Sequence, residues 1–232
     1  MDKFKDFWFL PVNKVFQKIG ALIALMSIFL LTATPASAHH AMGNKMPSNF
    51  FEGFISGAAH PLIGLDHLTF IVAIGLLAAV KRQGILIPIS FLLAAMLGTG
   101  AHLAGISFPG TELFVSGSIL LFGILLVMKD SPNTAVVSGL SALAGLFHGY
   151  AYGEAIFGAE TTPLVAYLIG FTVVQLVMSL LAFRVGQATI MGRETEQPSP
   201  AKLRSAGLVI CGMGLAFFAS QLVAVVIPVS AG

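Results

Sequence analysis

From Thr161 to Phe183 the chain carries no Asp, Glu, Lys or Arg, and the same is true of Ile85 to Thr111, Leu113 to Met128 and Ser205 to Gly232. Runs of this kind limit the choice of fold severely. About 20 apolar residues in a helix cross the ~30 Å hydrocarbon layer of a bilayer. Inside lipid every backbone N–H and C=O must find a partner within the protein, so only helices and closed barrels cross it. A barrel is written as short segments of alternating polarity, unlike the unbroken runs seen here. The chain is 56% hydrophobic and 9% charged, whereas soluble domains are about 25% charged. The reading is an all-α, polytopic membrane helix bundle.

The N-terminal 38 residues read as a cleavable signal peptide. Lys3, Lys5, Lys14 and Lys18 precede the apolar stretch "ALIALMSIFLLTA", and "TPASA" ends at Ala38 in a small-residue cleavage pattern. The mature chain would then open at His39 and His40, as an extracytoplasmic tail over 39–51. A six-helix permease domain over 52–232 follows. Its spans are expected near 52–79, 85–106, 112–128, 134–152, 162–184 and 205–228, with a cytoplasmic loop at 186–204. Lys81, Arg82, Lys129, Arg184, Arg193, Lys202 and Arg204 then fall on one side. The positive-inside rule makes that side cytoplasmic and both mature termini extracytoplasmic. Six spans divide as three plus three. Because each half is odd-numbered, a repeat would be inverted, and "SGAAHPLIG" and "AGLFHGYAYG" share a faint likeness. Inverted repeats with broken helices at an ion site are a known transporter design.

Ionisable residues at membrane depth cluster in two places. "HPLIGLDH" holds His60, Asp66 and His67, and "FHGYAYGE" holds His148 and Glu154. Each charged group near mid-membrane costs about 2.5–3.5 kcal/mol on insertion scales, so several in one small protein need a common purpose. A divalent transition metal accepts imidazole and carboxylate together, and this donor set without cysteine suits nickel, cobalt, zinc or iron. A straight helix serves neither motif. His60 and His67 would lie about 10 Å apart along the axis, while ligand bonds are about 2 Å. His148 and Glu154 would point to different faces. Pro61, Gly64, Gly149 and Gly153 suggest that both helices are locally unwound, unless the groups form successive stops along a path. His102 is a weaker candidate for that path. His39 and His40 could capture metal outside. Glu52, Glu112 and Glu160 read as solvated ends, Tyr150 and Tyr152 as an interfacial belt, and Gln175 as a polar contact between helices.

The two motifs resemble those of the HupE/UreJ family of nickel and cobalt permeases, named for hydrogenase and urease accessory proteins. The first signature is a histidine, five residues, then Asp-His. The second is Phe-His-Gly-x-Ala-x-Gly-x-Glu, here with one fewer spacer before Glu154. The "HHAMG" start and the "NFFEGF" lead-in look most like cyanobacterial members. The resemblance implies a secondary permease of the bacterial plasma membrane that imports Ni²⁺ or Co²⁺. Its metal site would be His60, Asp66, His67, His148 and Glu154. No catalytic cofactor, nucleic acid or nucleotide-binding subunit is expected, and the chain contains no Walker A pattern. The alternatives are an intramembrane metal-dependent hydrolase using the same His/Glu cluster, and a membrane assembly subunit. The hydrolase lacks support from His-Glu-x-x-His or Gly-x-Ser-x-Gly signatures.

Overall fold

The computed structural model describes residues 45–190 and 200–226. The signal-peptide reading, His39 and His40 lie outside the described residues. Among those described there are seven helices and no strand. They are α1 (Phe50–Ile63), α2 (Leu65–Ala79), α3 (Leu86–Leu103), α4 (Thr111–Val127), α5 (Thr134–Glu154), α6 (Thr161–Thr189) and α7 (Pro200–Val226). Helices α3, α5, α6 and α7 are long and apolar enough to cross a membrane, and the bent pair α1–α2 makes a fifth candidate. Helix α4 is apolar but has 17 residues, about 25 Å at the helical rise, short of the ~30 Å hydrocarbon layer. The described residues thus give four to five candidate spans where the sequence suggested six.

Local chemistry sets the helix starts. Asn49 caps α1 by accepting from the Glu52 N–H at 3.0 Å, and the Glu52 carboxylate reaches back to the Ser48 N–H at 2.8 Å. These reciprocal bonds satisfy donors that a helix start leaves orphaned. Asn133 caps α5 in the same way through the Val136 N–H. The long apolar stretch over 52–79 is not one helix. It breaks at Gly64, and α1 and α2 meet at a bend of 75°. Pro61 has no N–H to give to the last turn of α1. The Gly64 N–H closes that turn on His60 O at 3.0 Å, and Gly64 O starts the next by accepting from Leu68 at 2.9 Å. Glycine is needed there for space. A Cβ on residue 64 would lie 2.7 Å from the His67 ring and 3.1 Å from an Asp66 carboxylate oxygen.

The second motif behaves differently. Helix α5 runs unbroken through His148 and Glu154, against the expectation of unwinding. Its glycines serve packing. A Cβ at Gly149 would collide with the Ala95 carbonyl of α3, and one at Gly153 would lie 2.7 Å from the His102 side chain. Thr99 reinforces the seam by donating to Gly149 O at 2.7 Å. Close approach through small residues is how membrane helices gain van der Waals contact. Gly57 lets α1 meet α6 at Tyr167, and Gly123 lets α4 meet α7 at Cys211.

The main pairings are α3 with α5, α4 with α7 and α1 with α6. Exchanging the first half (α1–α4) for the second (α5–α7) maps this set onto itself. Among the described residues the break is present only in the first half, so the halves differ where the motifs lie. The connections at one end are tied together. Lys81 Nζ donates to Ser131 O at 3.0 Å and to Pro132 O at 2.6 Å, and Thr134 donates to Arg82 O. Burial pushes the Lys81 ammonium below its usual range. Lys202 reaches Thr189 O nearby in the chain. Among the described residues Lys81, Arg82, Lys129 and Lys202 therefore lie in or beside the connections of one end, while Glu52, Glu112, Glu154 and Glu160 begin or end helices at the other, where Lys45 precedes α1.

Replacing Gly149 with Ala should cost about 1–3 kcal/mol through overpacking and lower the thermal midpoint of the detergent-solubilised protein. Gly139 also lies inside α5 but faces open space. Ala there should hold or raise the midpoint, because it is the better helix former by about 1 kcal/mol.

Candidate metal site

The bend at Gly64 turns the last residues of α1 toward the first of α2. As a result the His60 and His67 rings have centroids 5.6 Å apart, far closer than a straight helix allows. Both side chains are buried, and His148 on α5 is fully so. His67 Nδ1 and His148 Nδ1 are 2.9 Å apart, one ring donating to the other. On its far side His148 Nε2 meets the Ser118 hydroxyl of α4 at 3.0 Å. His60 Nδ1 meets the Tyr167 hydroxyl of α6 at 2.8 Å, and that hydroxyl donates to the Tyr152 carbonyl at 3.0 Å. Five helices thus contribute to two chains of hydrogen bonds, brought side by side by the contact of the His60 and His67 rings.

Aromatic rings enclose it. Tyr152 stands edge-on to His60 at 5.0 Å and tilted against His67 at 4.5 Å. Phe70 lies 4.5 Å from the His148 ring and Phe91 5.6 Å from it. Unpaired polar groups are costly in such surroundings, and the hydrogen bonds offset that cost.

The remaining residues of the motifs lie at the edge. Asp66, half-buried, accepts from the His67 backbone N–H at 2.8 Å, which fixes the first turn of α2. Glu154 is exposed at the end of α5. Asp66 and Glu154 are both within electrostatic reach of Glu112. Glu112 is half-buried and 3.5 Å from Gln221 Nε2, so it is not a simple solvated end. His102 packs on Tyr150 at 4.5 Å and on Phe157 at 5.5 Å, with its Nδ1 buried and without a hydrogen-bond partner among the described residues. Among the described residues no three His, Cys, Asp or Glu side chains stand in a ready metal-holding arrangement. His67 and His148 are instead bonded to each other.

Sequence reasoning missed Tyr167 and Ser118, and placed Tyr152 in an interfacial belt although it is fully buried against the histidines. The phenol of Tyr167 was a usable signal, because a buried tyrosine hydroxyl usually finds a partner, although the buried Tyr152 hydroxyl has no hydrogen-bond partner among the described residues. Ser118 gave no signal, since a serine in a membrane helix can bond its own backbone. Gln175 is fully buried, and both amide atoms have no hydrogen-bond partner among the described residues. It shares a buried face of α6 with Tyr167 and Phe171.

The arrangement defines a class: an integral membrane helix bundle with a buried histidine cluster at a broken helix. The comparisons agree on a family. The chain belongs to the HupE / UreJ protein family, whose model matches residues 26–217. It is similar to Protein HupE of Rhizobium leguminosarum bv. viciae, with 27% identity over 178 residues, covering 75% of this chain and 87% of that protein. No solved structure matches.

If nothing occupies the space around Gln175, changing it to Leu should stabilise the metal-free protein. An unsatisfied buried amide costs about 1–3 kcal/mol, and the two side chains are similar in size. A higher thermal midpoint for Gln175→Leu is the expected result.

Proposed function

We propose that this chain is a secondary permease that carries Ni²⁺ or Co²⁺ into the cell through a site built from His60, Asp66, His67, His148 and Glu154. The observation that carries this reading is the convergence of three buried imidazoles across a helix break. A packing role alone does not account for three such rings in an apolar bundle. Family membership and the resemblance of both motifs to nickel and cobalt permeases supply the choice of ions. Both are borderline ions that take N and O ligands.

The positive-inside rule puts the Lys/Arg end of the bundle in the cytoplasm of a bacterial cell. The carboxylates of Asp66, Glu112 and Glu154 then lie toward the outside, where negative charge raises the local concentration of cations. His39 and His40 would assist capture there. From that mouth the ion reaches His60 and His67, the imidazoles at the bend. Gln175 stands two helical turns beyond Tyr167 on the same face of α6, toward the cytoplasmic end, and its amide oxygen offers the next polar contact. Release inward is aided by protonation of the ligands, because protons and metal compete for the same lone pairs. A negative-inside potential favours entry of a dication by about 4.6 kcal/mol per 100 mV. The hydrolase reading is weaker. Its proposed base, Glu154, is exposed at the end of α5, while the imidazoles it would serve are buried.

Cells expressing the intact chain should accumulate radioactive nickel or cobalt above the background of cells without it. A His60→Ala/His67→Ala variant, present in the membrane at equal level, should fall to that background. Equal uptake by the variant would refute the site. Glu154→Gln should retain transport at saturating metal but need more metal for half-maximal rate, with the gap narrowing at high salt as the mouth's field is screened.

A further inference from the structure

We propose that the Gln175 amide is a second ion-binding station, inward of the histidines, and that the Phe171 ring is the apolar gate between the two. The inference rests on the permease reading above and adds an inner stop and a gate to its path.

Gln175 is fully buried, and neither its Oε1 nor its Nε2 has a hydrogen-bond partner among the described residues. Native proteins rarely bury a polar group unsatisfied, and the exceptions mark a bound water, an ion or a functional role. Helical geometry locates the amide. Phe171, Ser179, Ala182 and Gly186 lie within about 40° of Gln175 around the axis of α6. That face meets α2. A Cβ on Gly75 of α2 would lie 2.6 Å from both Ser179 O and the Ala182 Cβ, and one on Gly186 would lie 2.7 Å from the Ala79 Cβ. The amide therefore sits in the seam between α6 and α2, the helix that begins at the bend.

The seam leads away from the histidines. His67 is in the first turn of α2, and its ring lies 4.5 Å from that of Tyr152. The Phe171 ring is fully buried and lies 5.3 Å from Tyr152 and 5.9 Å from Tyr167. Gln175 follows one turn later, about 6 Å further along the axis. Phe171 thus separates the aromatic wall of the histidine cluster from the amide. Inward of Gln175 the close contact of Gly75 with Ser179 shuts the seam. Apolar constrictions stop ions by excluding water, so passage needs Phe171 to turn aside and α2 to part from α6. The chemistry is graded in the direction of import. Imidazole suits nickel-like ions better than a neutral amide oxygen does, so the inner station holds the ion more loosely. A path conducts when each stop binds well enough to admit an ion and weakly enough to release it. Oε1 faces the ion, and Nε2 donates to water that accompanies it.

The test uses the full chain in bacterial cells and, for binding, the purified protein in lipid nanodiscs. Gln175→Leu should lower radioactive nickel or cobalt uptake by about 10-fold or more, the scale of one lost hydrogen bond to a charged group. Calorimetric titration should find its tight metal binding unchanged, because the histidines supply it. A thermal midpoint at or above wild type separates this loss from misfolding. Cys211 is the chain's one cysteine, so Cys211→Ala/Gln175→Cys carries a single reporter thiol. A small cationic methanethiosulfonate reagent added outside should label it, and Phe171→Ala should speed that labelling severalfold. Wild-type uptake by Gln175→Leu, a thiol that stays unlabelled, or labelling at one rate whichever residue stands at 171 would overturn the proposal. The two readings fail separately. A wild type that takes up neither ion sinks the permease reading and the station with it, while a transporting wild type with an indifferent Gln175→Leu sinks the station alone.

Discussion

At Gly64 an apolar stretch long enough to form one straight helix gives up its axis. The carbonyl of His60 closes one helix and the carbonyl of Gly64 starts the next, so the backbone loses few hydrogen bonds at the turn. A break is tolerable in a membrane protein where neighbouring protein covers it, and here α5 and α6 do so through Tyr152 and Tyr167. The side chains either side of Gly64 set the steric requirement. A Cβ there would press on His67 and Asp66, so the residue that permits the bend also leaves room for the two motif residues after it. The rest of the site depends on this one change of direction.

The polar cluster is stable in apolar surroundings because its hydrogen bonds end on groups that can only accept. Each chain terminates at a backbone carbonyl, Tyr152 O in one case and Val115 O in the other. Val115 O is met by a hydroxyl within its own helix. Tyr152 O lies in the last turn of α5, where carbonyls lack helical partners. The end of a helix thereby becomes an anchor for a side chain on its neighbour. Phe70, Phe91 and Tyr152 surround the imidazoles and lower the local dielectric, which strengthens satisfied hydrogen bonds and penalises unsatisfied ones. The Gln175 amide and the Tyr152 hydroxyl are the exceptions beside it, both buried without a hydrogen-bond partner among the described residues.

Close seams of small residues hold these helices in register. Gly149 on α5, Gly57 on α1 and Gly123 on α4 each admit a neighbouring backbone that a side chain would exclude. The same residue type therefore has two uses in the motifs. Gly64 makes room at a break, whereas Gly149 and Gly153 make room at a continuous helix surface. The acidic and basic ends of the bundle follow from where the connections fall. Lys81 joins the α2–α3 turn to the α4–α5 connection, so positive charge and loop structure are fixed together.

Much could be read directly from the chain. The uncharged runs required helices, because lipid offers no partner for the backbone. The lysines and arginines marked one set of connections. The cost of ionisable groups in lipid singled out His60, Asp66, His67, His148 and Glu154, and Pro61 with Gly64 announced a break in the first motif. Other features belonged to the tertiary structure. Gly149 and Gly153 carry the same local signal as a helix breaker, yet packing against Ala95 and His102 keeps α5 whole. Helix-breaking tendency is about 1 kcal/mol for a glycine, and a close helix contact outweighs it. Tyr167 and Ser118 lie far along the chain from the histidines they touch. Nothing in sequence spacing joins them, because their partnership is created only when α6 and α4 pack beside the bend. The separation of three buried imidazoles from two edge carboxylates was likewise settled by packing, since periodicity places residues on a face and gives no depth.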